Sequence, residues 1–138
     1  MIAFEDVHKL FEDELTETVV GMPVEYDNVP DGEDLKDAKS GNEKWARVVV
    51  REGGGRAVSC GGNVLRRFTG LAIVSLFYPR GTGARALRSK ASAIADHIVK
   101  QDCKNVDIIT PYLVVVGDFE DWHQANLMIP FEADQFTD

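Results

Sequence analysis

Cysteine is scarce in this chain, and so is any long apolar run. Cys60 and Cys103 are the only 2 cysteines in 138 residues, and they stand neither as a CxxC pair nor within a His/Cys cluster. That argues against a structural metal and for a reducing compartment. No apolar stretch approaches the roughly 18 residues that a membrane-spanning helix requires. The first residues carry Glu5 and Asp6 rather than a basic cluster, so neither a secretory nor a transmembrane segment is expected and the protein reads as soluble. Basic residues are missing altogether after Lys104. The length suits a single domain over residues 1–138, and such a chain buries roughly two-thirds of its unfolded surface, enough for a core without disulfides.

Catalytic and cofactor motifs are missing as well. There is no GxxxxGK[ST], and Gly81-Thr82-Gly83 alone supplies neither a dinucleotide fingerprint nor a downstream acidic ribose partner. His8, His97 and His123 lie far apart without metal-ligand spacing and read as surface residues. His97 follows Asp96 on a helix, where adjacent residues do not face each other, so no dyad is indicated. Ser59 and Cys60 have no nucleophile elbow and no recognisable base partner. Neither a catalytic residue, a cofactor nor a metal is expected.

Charge, by contrast, is abundant and segregated. Residues 1–43 hold 3 basic and 13 acidic residues, residues 44–104 hold 12 basic and 3 acidic, and residues 105–138 hold 7 acidic and none basic. The blocks carry −10, +9 and −7, within a net charge of −8. Acidic, basic and acidic segments can neutralise one another inside one subunit, or they can present complementary faces to neighbouring copies.

Phe4, Val7, Leu10, Phe11 and Leu15 recur at helical spacing, which predicts an N-terminal helix of about four turns. Pro23 to Tyr26 reads as a short strand. The polar stretch 27–43, with Pro30, Gly32 and Gly41, reads as a mobile loop. Trp45 to Val50 alternates as a strand. A glycine-flanked arm follows, with Gly53, Gly54, Gly55, Arg56, Gly61 and Gly62 as its candidate flexible residues and a mobile segment over 52–62. The long strand from Val64 to Tyr78 is apolar on both faces in its second half, which predicts burial on two sides. Pro79 and the Gly81–Gly83 turn, with a candidate N-cap, lead into a helix whose Ala84, Leu87, Ala91, Ile94, Ala95 and Ile98 form one stripe. Short strands at 106–110 and 112–116, an acidic turn at 117–121 and a final strand from Trp122 complete the chain. Pro130 lacks a backbone donor, which predicts an edge position for that last strand. The fold class is α+β, a mostly antiparallel sheet with two main helices on one face.

Arg80, Arg85, Arg88 and Lys90 gather where the second helix begins. The macrodipole there already favours negative charge, so each cation costs a few tenths of a kcal/mol. An anionic partner would account for them: carboxylates of the same fold, the acidic surface of an adjacent subunit, or a nucleic-acid backbone. With Arg66 and Arg67 they form the candidate subunit or tube contact. Helix N-termini also attract phosphate, so an anion- or nucleotide-binding domain is a further alternative.

Several short landmarks occur in a telling order: Pro23-Val24, Asn28-Val29-Pro30, Trp45-Ala46-Arg47-Val48, Arg67 and Gly70, Phe77-Tyr78-Pro79 with Gly81-Thr82-Gly83, the helix from Ala91 to Ile98, then Trp122 and Ile129-Pro130-Phe131. In this order the chain resembles the tail terminator and tail-completion proteins of long-tailed phages and prophages, the lambda-type minor tail protein group. It departs from that group in its long acidic loop and extended arm. The resemblance implies a structural virion protein and no reaction. Its implied partners are itself, as a homo-hexameric ring, the tail tube protein and the head-tail connector proteins, with DNA only passing through the channel and no membrane. It would reside in the virion tail, and in the host cytoplasm during assembly. A connector or stopper of related architecture is the alternative.

Overall fold

Apolar residues at helical spacing and apolar residues at alternate strand positions converge on one layer. The computed structural model describes residues 4–27, 29–57, 64–101 and 106–137. Helix α1 (Phe4–Glu14) turns Val7 and Phe11 inward, both fully buried together with Leu15 just beyond it. A short α2 (Glu17–Val20) buries Val20. The long helix α4 (Ala84–Lys100) adds Leu87, Ala91, Ile94 and Ile98. These side chains pack on one face of a six-stranded sheet made of β1 (Val24–Tyr26), β2 (Trp45–Ala57), β3 (Val64–Pro79), β4 (Val106–Ile108), β5 (Tyr112–Phe119) and β6 (Trp122–Thr137). That is the expected α+β class.

The spatial order is β1-β2-β3-β6-β4, with β5 also on β6, and every pairing except the parallel β1–β2 pair is antiparallel. Strand alternation fixes which residues face the helices: Ala46, Val48 and Val50 of β2, Ala72, Val74 and Leu76 of β3, and Leu127, Ile129 and Phe131 of β6. At the centre the Phe131 ring lies 5.1 Å from that of Phe11. It also lies over Gly70, where a Cβ would come within 2.4 Å of the Phe131 ring and 2.7 Å of the Arg51 carbonyl oxygen. Glycine at position 70 is therefore a packing requirement of the strand.

Four local expectations need amending. The stretch 27–43 contains helix α3 (Glu33–Ser40), whose Leu35 and Ala38 pack on the opposite sheet face against Trp45 and Phe77, with Trp122 at the rim. Two apolar residues suffice for so short an amphipathic helix, too few to stand out in a polar segment. Glu33 and Asp34 in its first turn and Lys39 in its last complement the helix dipole.

The second amendment concerns β6, which is an interior strand. Pro130 pairs with Leu71 on one side, and its carbonyl accepts from the Ile109 N–H on the other at 2.8 Å. In an antiparallel strand a residue's N–H and C=O point to the same side. The missing donor thus faces the break between β4, which ends at Ile108, and β5, which begins at Tyr112. Proline is accommodated at a gap in the ladder instead of at a sheet edge.

Third, β3 is covered on both faces only near its end, where Ser75 and Phe77 are buried, while Leu71 and Ile73 remain half-buried on the face away from α1 and α4. Fourth, the glycine arm is sheet as far as Ala57. Gly53, Gly54, Gly55 and Arg56 lie within β2, with a register shift between Glu52 and Gly55, and Gly61 and Gly62 lie outside the described residues.

Candidate assembly surface

The basic block is partly neutralised within the subunit. Arg47 pairs with Glu25. Arg67 Nε donates to Asp134 Oδ1 at 2.8 Å across the β3–β6 ladder, where the two residues are direct partners. The bond to Arg67 holds the Asp134 carboxyl below its ordinary value and raises the Arg67 guanidinium in turn. Arg80 Nε lies 3.7 Å from Asp118 Oδ2. Within the first acidic block, Lys39 Nζ donates to Asp31 Oδ2 at 2.7 Å and to Glu25 Oε1 at 3.1 Å. Partial burial pulls the Lys39 ammonium down, and these two bonds outweigh it and leave its pKa raised.

The start of α4 is different. Arg85 and Arg88 are exposed, Lys90 is half-buried, and among the described residues none of the three has an ion-pair partner. The expected contact set therefore divides. Arg67 and Arg80 are engaged inside the fold, Arg85, Arg88 and Lys90 are presented without a carboxylate, and Arg66 lies on β3, paired with Ala57 and Gln135 along the ladder. Thr82 is not the helix cap. Its hydroxyl donates to the Pro79 carbonyl at 2.8 Å and closes the turn, and the cap is Gly83, at φ 89° with no side-chain hydrogen bond.

Strand β5 is the feature that sequence reasoning passed over. One side of it pairs with β6, and among the described residues no other strand pairs with it. Tyr112, Val114, Val115, Val116 and Phe119, 5 of its 8 residues, are exposed large apolar side chains, and Phe119 is the most open of them at 65%. Natural edge strands are usually blunted by lysine, an internal proline or a covering segment. None of these three protects β5 among the described residues, and its one interruption is the register shift between Val115 and Gly117. The signal was available in the run Val114-Val115-Val116, where alternation gives way to β-branched residues facing both ways.

Phe119 sits at the tip of the β5–β6 hairpin, and that tip is tied down. Glu120 adopts φ 52° and Gly117 φ 112°. His123 Nδ1 lies 2.7 Å from Asp118 Oδ1, the Arg80 N–H donates to the Asp121 carbonyl at 2.8 Å, and the Arg80 guanidinium donates to the Glu120 carbonyl at 3.3 Å. Across the β3–α4 turn lies an open, largely apolar groove of about 460 Å³, floored by Met22 and Tyr78 and walled by Pro23, Pro79 and Ala86. Lys44 and Glu43 border it, and Gly21 at its rim lies so close to Lys90 that a Cβ there would meet the ammonium at 2.6 Å.

The other titratable groups are dispersed. His8 Nε2 lies 2.7 Å from Glu52 and His97 Nε2 lies 3.4 Å from Glu14. No group of three or more His, Cys, Asp or Glu side chains among the described residues could hold a metal ion. Trp45 stacks on Phe77 at 4.1 Å between ring centroids, with Lys39 Nζ 4.4 Å from its ring centroid, an arrangement that pins α3 to the sheet.

Comparison with known proteins bears on the fold and on the family. A solved structure 13% identical in sequence matches 100% of both chains with a TM-score of 0.69, a likeness of fold. No curated protein matches the chain. Residues 6–103 match the family described as phage tail terminator protein, and this chain belongs to that family, whose members are structural components of the virion tail and interact with other tail and head proteins.

Proposed function

We propose that copies of this chain join into a ring, a hexamer as the resemblance implies. The ring seats on the end of the tail tube, stops further tube subunits from adding, and offers its outer face to the head-tail connector proteins. DNA passes through its channel. The observation that carries this reading is the uncovered apolar edge of β5, on a molecule that also presents the unpaired cations Arg85 and Arg88. An exposed apolar edge and an uncompensated basic island each disfavour an isolated monomer, and both are satisfied by a neighbouring subunit. Nothing in this role needs a bond to be made or broken.

The test is to add the purified protein to polymerising tail tube subunits and follow tube length by electron microscopy. Arrested tubes bearing a ring at one end are expected. Unchanged tube growth, with the protein monomeric at every concentration and salt, would overturn the proposal. Binding to the connector without any effect on the tube would place the protein one ring further toward the head.

A further inference from the structure

We propose that the subunit contact of this ring is a knob and a socket: Phe119 of one copy enters the groove between Met22, Tyr78 and Ala86 of the next. The inference rests on the ring reading above and names the surfaces that close it.

The knob is a phenylalanine at 65% exposure on a hairpin tip fixed through Asp118, His123 and Arg80. Large aromatic side chains on rigid supports are the usual anchors of an interface, because little freedom is lost when they dock. The socket has an apolar floor, with Met22 at 4% and Tyr78 at 5% exposure, and its open volume of about 460 Å³ leaves ample room for one aromatic ring.

Charge decides the occupant. The knob is flanked by Asp118, Glu120 and Asp121, and neither Glu120 nor Asp121 has an ion-pair partner among the described residues. On its Tyr78 and Ala86 side the socket is bordered by Lys44 and Lys90, neither with a carboxylate partner among the described residues, while Glu43 lines it and Asp34 and Asp37 lie beyond Met22 and Pro23. The two unpaired acids of the tip therefore have two unpaired lysines to meet on the Tyr78 and Ala86 side, and acids to avoid beyond Met22, which orients the encounter.

Placement decides the assembly. The β3–α4 turn separates the two features, for Pro79 borders the groove on one side and the hairpin residues Asp118 and His123 on the other. Knob and socket are thus different patches of one surface, and in the ring proposed above each copy gives its knob to one neighbour and its socket to the other, a heterologous contact. Heterologous contacts close into rings when the rotation permits.

Two variants test the contact: Phe119→Ser removes the knob, and Ala86→Trp fills the socket from an exposed position of α4. Sedimentation velocity over a concentration series, with native mass spectrometry, reads the assemblies, and circular dichroism verifies that both variants stay folded. Each variant alone should require at least about 30-fold more protein for half-association than the parent chain, the scale of losing an interface anchor. Mixed in equal amounts they retain one working knob and one working socket, so they should form a two-chain complex and stop there. Assembly of either variant as readily as the parent chain overturns this contact while leaving the ring reading standing, and so does a mixture that stays monomeric while the parent chain assembles. A parent chain that is monomeric throughout, alone and on tail tubes, overturns both.

Discussion

Gly70 illustrates how one residue sets the thickness of the core. Its missing side chain is the space into which the Phe131 ring fits, and an added Cβ would meet that ring at 2.4 Å and the Arg51 carbonyl at 2.7 Å. Backbone on one side and a fully buried aromatic on the other leave no cheap relaxation. Gly70→Ala is expected to destabilise the fold by about 1–3 kcal/mol, the usual cost of overpacking. Gly54→Ala, where nothing lies within 4 Å of the new Cβ, should stay within about 0.5 kcal/mol. Chemical denaturation of the two variants compares them directly. A second expectation at this scale concerns Asp134. Its pKa is lowered from 3.8 in the folded protein by the bond to Arg67. The pair's stabilisation is therefore fully present above the unfolded value and is lost as pH falls through the lower, folded value. Asp134→Asn should be the less stable protein at neutral pH, and the gap should close on acidification, as thermal melts between pH 7 and 2.5 would record. A gap that is constant with pH would mean that the carboxylate's charge contributes nothing.

Among the elements, legibility followed burial. α1 and α4 announce themselves because Val7 and Phe11, or Leu87, Ala91, Ile94 and Ile98, repeat at the period of a helix that buries one stripe. β2, β3 and β6 are visible by alternation for the same reason. α3 was hidden because Leu35 and Ala38 are its only buried residues, and of the two rings they cover, Trp45 opens the next strand while Phe77 lies far along the chain. Pro130 misled because a lone proline reports a missing hydrogen bond without telling whether a sheet edge or a gap between β4 and β5 removes the need for it. The candidate surface was half legible. Clustered arginines show in a sequence, but which of them find carboxylates depends on registers such as Arg67 opposite Asp134. The run Val114-Val115-Val116 marks β5 as apolar on both faces, but such a run reads as core until the strand's neighbours are known, so its exposure was not legible. That exposed edge yields an expectation of its own. Val114 is 42% exposed and faces the same side as Asn126, away from α1 and α4. Val114→Lys should leave stability within about 0.5 kcal/mol. It should also weaken self-association by about tenfold, or about 1.4 kcal/mol, by placing a charge on the edge that a neighbour covers. Melting curves and sedimentation of the same sample separate the two effects. A lysine variant that assembles undiminished would show that the β5 edge stays uncovered in the ring.

At the scale of the whole molecule, a net charge of −8 sets copies to repel one another, and any assembly has to overcome that repulsion through local complementarity. The fold uses part of its basic block internally, at Arg47, Arg67 and Arg80, and leaves Arg85 and Arg88 exposed on α4 without an ion-pair partner among the described residues. Both acidic blocks retain exposed carboxylates, among them Glu120 and Asp121, so a neighbour has the opposite charge to offer. Exposed charges act over about 8 Å at physiological ionic strength and over about 3 Å at 1 M salt. Association that depends on them should therefore weaken steeply as salt rises, while the contribution of buried apolar surface persists or grows. Reversing both cations, Arg85→Glu with Arg88→Glu, removes two positive charges and adds two negative ones, taking the net charge from −8 to −12. If these arginines face a neighbour or the tube, the double variant should associate at least about tenfold more weakly at low salt. It should then recover as salt screens the new repulsion, so that its salt dependence runs opposite to that of the parent chain. Light scattering across a salt series measures both slopes at once. Parallel slopes for the two proteins would mean that the start of α4 points into solvent in the assembled tail, and the adhesive surface would then reduce to the β5–β6 hairpin and the groove that receives it.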